Sequence, residues 1–242
     1  MAKKLNISDL QPSILLDPVE KDDIRYIRCR VLIVCEGEKT EPNYFRSFSM
    51  MKNSSGLVYE VSCDGGGINT LQVVEKAIEL RDKAEKQGLP YDSVWAVFDR
   101  DSFKSASFDN AIAKAEAHDI GCAWSNEAFE LWYIYHFDAR STAMSRTEYK
   151  RVITQRVNSA GYKLGKTPYV YKKNDPKMRS ILSLCLCNEE EAIRRAKAQA
   201  STFSNRRFHT HNPCTMVYKL VNLLIGKDTV FNHKIEDIIS QK

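Results

Sequence analysis

Two unbroken apolar runs organise the chain. Arg30-Val31-Leu32-Ile33-Val34-Cys35 and Ser93-Val94-Trp95-Ala96-Val97-Phe98 are rich in β-branched and aromatic residues. Such runs mark strands buried on both faces, as in parallel sheets. A weaker strand is predicted over residues 57–63, closed by Asp64-Gly65-Gly66-Gly67. Helices are expected from Pro42, over residues 69–87 and over residues 108–118. In the first, Tyr44, Phe45 and Phe48 supply the apolar face; in the second, Leu71, Val74, Ala77 and Ile78 recur at helical spacing ahead of Gly88. A short strand at Cys122-Ala123-Trp124 and an apolar helix over residues 129–137 follow. This alternation calls for an α/β sandwich around a mostly parallel sheet flanked by helices.

Beyond Ala139 strand signals fade. Helices are predicted over residues 147–160, 189–203 and 215–224, with a basic loop between the first two. The expected organisation is a polar arm (residues 1–23), an α/β core (24–138) and a basic, mostly helical C-terminal region packed on that core (139–242).

Composition narrows the class. Of 242 residues, 43% are hydrophobic and 28% charged, which suits a folded globular chain. No stretch approaches the roughly 20 apolar residues of a membrane helix. The N-terminus lacks the apolar core of a signal peptide, so the expected location is the cytoplasm. Seven scattered cysteines and five histidines show no zinc spacing and read as reduced thiols and isolated rings.

The net charge is +5, with most of the excess between residues 163 and 207. Lys163, Lys166, Lys172, Lys173, Arg206 and Arg207 are candidates for nucleic-acid backbone contacts, as is Lys39 nearer the N-terminus. Tyr162, Tyr169 and Tyr171 are interleaved with the lysines as a base-stacking surface. A solvated loop explains this stretch equally well.

Candidate chemistry lies at the strand ends. Glu36 follows the first apolar run; Asp99 and Asp101 follow the second. Ligands of open α/β sheets bind outside the carboxyl ends of the strands. Carboxylates brought together there repel unless a cation sits among them, and hard oxygen donors select Mg²⁺ or Mn²⁺. The metal set read from the chain is therefore Glu36, Asp99 and Asp101. Glu38, in the same loop, is a further catalytic candidate. Glu130, a carboxylate inside an apolar helix, needs a partner: a salt bridge and a place in the metal site are equally good readings. Glu41 shares the Glu36 loop and could reach a water or the metal, but the start of the helix at Pro42 is the favoured reading. His136 reads as a core or interface histidine rather than a base.

Val34-Cys35-Glu36-Gly37-Glu38, with Thr40-Glu41 after it, resembles the first signature of TOPRIM domains; Val97-Phe98-Asp99-Arg100-Asp101 resembles the second. The wider pattern is similar to the RloB-like family. It runs from Leu32 to Phe45, through Ser125-Asn126-Glu127-Ala128-Phe129-Glu130-Leu131-Trp132, to Asn212-Pro213-Cys214-Thr215. The resemblance implies a TOPRIM domain of bacterial or archaeal defence loci, encoded beside an ABC/SMC-like ATPase. Related effectors are nucleases held in check until a phage trigger arrives. No topoisomerase tyrosine domain or zinc-binding primase module is evident, which leaves phosphodiester hydrolysis. The alternative is a non-catalytic TOPRIM module that binds nucleic acid or the ATPase. The choice of DNA or RNA and the oligomeric state are left open.

Overall fold

The two apolar runs become neighbouring central strands. The computed structural model describes residues 27–49, 57–100, 105–164 and 167–240. In it β1 (Ile27–Cys35) pairs in parallel with β2 (Leu57–Gly65) on one side and with β3 (Ser93–Val97) on the other. β4 (Gly121–Cys122) extends the sheet past β3, giving an all-parallel order β2-β1-β3-β4. Both faces are covered, as unbroken apolar strands require. Cys29, Val31, Ile33, Cys35, Trp95 and Val97 point to one hydrophobic cluster; Leu32, Val34, Ala96 and Phe98 point to the other.

The order reverses at β1. From β1 the chain passes through α1 (Thr40–Arg46) to β2 on one flank. It then passes through α2 (Thr70–Lys86) to β3 on the opposite flank. The carboxyl ends of β1 and β3 therefore form the switch-point crevice where such sheets bind ligands. α2 and α3 (Ser105–Ala117) cover one face; Asn69 opens α2 with a capping box to Gln72.

The other face is covered by α1 and by helices from the second half of the chain: α4 (Glu130–Tyr135), α5 (Arg146–Ser159), α6 (Met178–Leu184), α7 (Glu189–Ala200), α8 (Val217–Leu224) and α9 (Thr229–Ser240). They share one hydrophobic cluster with the sheet. No described helix is long and apolar enough to cross a membrane.

Several local expectations change. Of the strand expected at Cys122-Ala123-Trp124 only Cys122 lies in β4; just beyond it β5 (Ser125–Asn126) pairs antiparallel with β8 (Cys214–Thr215). The basic loop contains a hairpin, β6 (Lys163–Leu164) with β7 (Thr167–Pro168), and then α6. α9 lies beyond the last helix the sequence pattern suggested. The polar arm of residues 1–23 lies outside the described residues.

Candidate active site

Glu36 is the first residue past β1, and its backbone is fixed from two sides. Its N–H donates to the Val97 carbonyl at 2.9 Å, and its carbonyl accepts from the Gly67 N–H at 2.9 Å. The Gly-rich turn after β2 thus packs on the Glu36 loop. A Cβ at Gly65 would overlap the Gly37 carbonyl and the Pro42 ring, and Gly67 adopts a φ of 60°. The glycines allow this close approach of backbone to backbone.

Asp99 sits across the crevice. The segment after β3 is held by ladder-like bonds to β5: Ser125 N–H to the Phe98 carbonyl at 3.1 Å, and Arg100 N–H to the Ser125 carbonyl at 2.7 Å. On its other side the Asp99 N–H donates to Glu36 Oε2 at 3.0 Å. The two acids are therefore joined directly.

Two further carboxylates approach. Glu41, only 6% exposed, folds back from α1 so that its carboxylate fills the space a side chain at Gly37 would occupy. Glu130, 7% exposed at the start of α4, accepts a hydrogen bond from the Tyr171 hydroxyl at 3.0 Å. Loss of hydration pushes the Asp99 carboxyl well above the usual carboxylate range. Glu41, Glu130 and Glu36 push it the same way, and the Arg146 guanidinium opposes them.

An anion in this position is favoured by an added cation. The donors are carboxylate oxygens, which fit a hard dication such as Mg²⁺, usually held by one or two carboxylates and otherwise by water and phosphate. Among the described residues no set of three or more His, Cys, Asp or Glu side chains is arranged to enclose a metal ion. Glu36 and Asp99 would therefore supply a two-carboxylate site. Asp101, the third expected ligand, lies outside the described residues, as does Lys166. The cysteines offer no thiolate alternative: burial pushes Cys63 and Cys122 up to about 12.

The remaining candidates are spread more widely. Glu38 is exposed and leans over Gly67. Glu38, Lys39, Glu41, Lys173 and Asn174 line a cavity of about 370 Å³ beside the crevice. The turn carrying Lys173 is clamped to α1: Thr40 Oγ1 donates to Asn174 Oδ1 at 2.7 Å, and Asn43 Nδ2 donates to the Asn174 carbonyl at 3.2 Å. Lys172 and Lys163 are exposed. Arg206 is ion-paired with Glu116 on α3, and Arg207 is exposed beside it.

Two of the three tyrosines read as a stacking surface are turned away from solvent. Tyr169 and Tyr171 are 3% and 2% exposed, while Val170 between them is 53% exposed. The extended segment turns alternate residues inward, and the inward hydroxyls are engaged by Asp175 and Glu130. His136 is a core ring: its Nδ1–H donates to the Trp132 carbonyl at 3.0 Å, and burial lowers its pKa to about 4.

Two groups emerge only in three dimensions. Glu41 acts on Asp99, although the sequence favours helix initiation over a metal-side role for it. Arg146, the cation facing Asp99, starts α5 and donates to the Glu127 carbonyl at 3.0 Å. Its one local signal is the Ser145–Glu148 capping box that opens the helix.

A family model described as RloB-like protein matches residues 31–224. No curated protein and no solved structure matches the chain.

Proposed function

The chain belongs to the RloB-like protein family, and on that premise we propose that it is a Mg²⁺- or Mn²⁺-dependent TOPRIM-type endonuclease that hydrolyses nucleic-acid phosphodiesters. The observation that carries the reading is the crowding of Asp99 by Glu41, Glu130 and Glu36 at the switch point of a parallel sheet. A scaffold used only for binding gains nothing from carboxylates that raise one another's energy; a site that collects a dication does.

Glu36 and Asp99 would hold the ion, with Asp101 as the third ligand from its place two positions on in the sequence. Bound there, the ion would stabilise charge developing on the phosphodiester and make hydroxide available near neutral pH. The chain's own residues position and transfer protons. The Asp99 N–H keeps Glu36 Oε2 in place. Tyr171 holds Glu130. We assign Glu41 to accept the proton of an attacking water, because its carboxylate, packed against Gly37, is the strongest charged influence on Asp99. Lys39 and Lys173 face the same rim and are suited to neighbouring phosphates. Resemblance to defence-associated TOPRIM effectors supports an anti-phage, abortive-infection role beside an ABC/SMC-like ATPase.

The test is incubation of the purified protein with a panel of RNAs and DNAs in Mn²⁺, with and without chelator, against Glu36→Gln. Cutting by the parent alone, abolished by chelator, is expected. Equal cutting by a folded Glu36→Gln protein would exclude the assignment. Metal-indifferent binding without cutting would favour the non-catalytic module.

A further inference from the structure

A second polar concavity lies on α5, apart from the acids. A cavity of about 690 Å³ is lined by Arg140, Arg151 and Arg156, with Gln155, Asn158 and Pro168 of the β6–β7 hairpin. Arg140 also borders an adjoining cavity of about 360 Å³ that includes Arg194 and Arg195. Three of these five arginines are engaged: Arg156 with Asp138 at 2.6 Å, and Arg194 and Arg195 with Glu191. Arg140 and Arg151 form no ion pair among the described residues. Arg151 donates to the neutral Gln155 Oε1 at 3.1 Å. Glu148 feels both guanidiniums, but its carboxylate is held chiefly by the Ser145 N–H and hydroxyl.

Two arginines that form no ion pair among the described residues line a polar concavity, with guanidinium donors available to an anion beyond the Arg151–Gln155 bond. Guanidinium matches phosphate oxygens better than any other side chain does. The location adds the connection to chemistry. α5 has 14 residues, so it is about 20 Å long, and it starts at Arg146, which donates to the Glu127 carbonyl just past β5, the strand bridged to Asp99. The arginine cavity thus lies within one helix length of the acidic crevice, a few nucleotides of backbone away.

We propose that the Arg140–Arg151 cavity seats a backbone phosphate of the nucleic acid, flanking the phosphodiester positioned at Glu36 and Asp99. The choice of occupant rests on the nuclease reading; the site itself is separate from the acids. The contact is sequence-independent, so it supplies affinity and register and leaves base selection to other surfaces.

The experiment is a salt titration of binding, in chelator so that no cutting occurs, with labelled single-stranded RNA and labelled duplex DNA as probes. Parent and Arg140→Gln/Arg151→Gln are compared. Each lost phosphate contact lowers the log–log salt slope by about 0.7 on single strands and about 0.9 on duplex. The expected loss is therefore about 0.7 to 0.9 for the one phosphate the pair seats, with weaker binding at every salt concentration and an unchanged Mn²⁺-induced rise in melting temperature. If the double variant melts early, the two single variants are read instead, each with weaker binding and a slope loss no greater than about 0.7 to 0.9. Equal slopes and affinities with both probes, or a parent that binds neither, would overturn the proposal. The nuclease reading fails on a different result, the absence of Mn²⁺-dependent cutting, so the two failures are distinguishable.

Discussion

The backbone N–H of Asp99 donates to Glu36 Oε2 at 3.0 Å, so one acid of the crevice is positioned by the main chain of the other. A glutamine at position 36 retains an oxygen to accept this bond but loses the charge that would hold a metal. Glu36→Gln should therefore melt within a few degrees of the parent and lose cutting by about 10³-fold or more, the several kcal/mol that a bound ion contributes to a charged transition state. Melting temperature and initial cutting rate measured on the same preparation check this.

Asp99→Asn separates repulsion from ligation. The folded chain holds the Asp99 carboxyl well above its unfolded value of about 3.9. The stability contributed by its neutral form is present below about pH 4 and lost as pH rises. In chelator at pH 7, Asp99→Asn should therefore melt higher than the parent, with the difference closing near pH 4. Added Mn²⁺ should raise the parent's melting temperature more than the variant's. An undiminished Mn²⁺ shift in the variant would remove Asp99 from the ligand set.

Gly37 and Gly65 test the packing around Glu36 in different ways. A methyl at Gly37 meets the movable end of Glu41, whereas a methyl at Gly65 meets the Gly37 carbonyl and Pro42. Gly65→Ala should destabilise by about 1–3 kcal/mol because backbone must shift. Gly37→Ala should change stability by less than about 1 kcal/mol while displacing the Glu41 carboxylate and slowing cutting. Parent-like cutting by Gly37→Ala would show that Glu41 takes no part.

The strands that carry Glu36 and Asp99 were readable because their apolar runs are unbroken, and so were both acids at their ends. Their adjacency was not readable, since register depends on which flank each crossover takes. Tyr171 shows the same limit. Beside Lys172 and Lys173 it looks like a surface residue, yet its hydroxyl reaches Glu130, 41 positions away. α9 did leave a signal: Asp228 caps the Phe231 N–H at 3.0 Å, and Phe231, Ile235 and Ile238 follow at helical spacing. Arg146 left none that points to Asp99, because its charge acts there only through the tertiary fold.

His136 predicts acid sensitivity in the core. Burial holds its pKa near 4 in the fold, against 6.5 when exposed, so the unfolded chain binds the extra proton between those values. Stability from the neutral ring is complete above about pH 6.5 and falls by up to roughly 3 kcal/mol as pH drops to 4. His136→Gln should flatten this fall. Denaturant midpoints at pH 7 and pH 4.5 for parent and variant measure it; equal losses in both would assign the acid sensitivity to other groups.

Lys39 and Lys173 come from distant parts of the chain, yet both face the cavity that Glu38 and Glu41 border. Neither forms an ion pair among the described residues, although two carboxylates share the cavity. Asn174, with a φ of 74°, holds the turn that presents Lys173, and Thr40 and Asn43 fasten that turn to α1. Two unpaired ammonium groups at the rim of the acidic crevice would balance phosphates on either side of a metal. Lys39→Gln/Lys173→Gln should therefore weaken nucleic-acid binding and lower its log–log salt slope by about 1.4 to 1.8. The carboxylates remain, so the Mn²⁺-induced melting shift should persist and even grow slightly as opposing positive charge is removed. A salt titration run beside the melting series reads both. An unchanged slope would mean that these lysines are simply solvated and that the backbone enters the crevice from the α5 side alone.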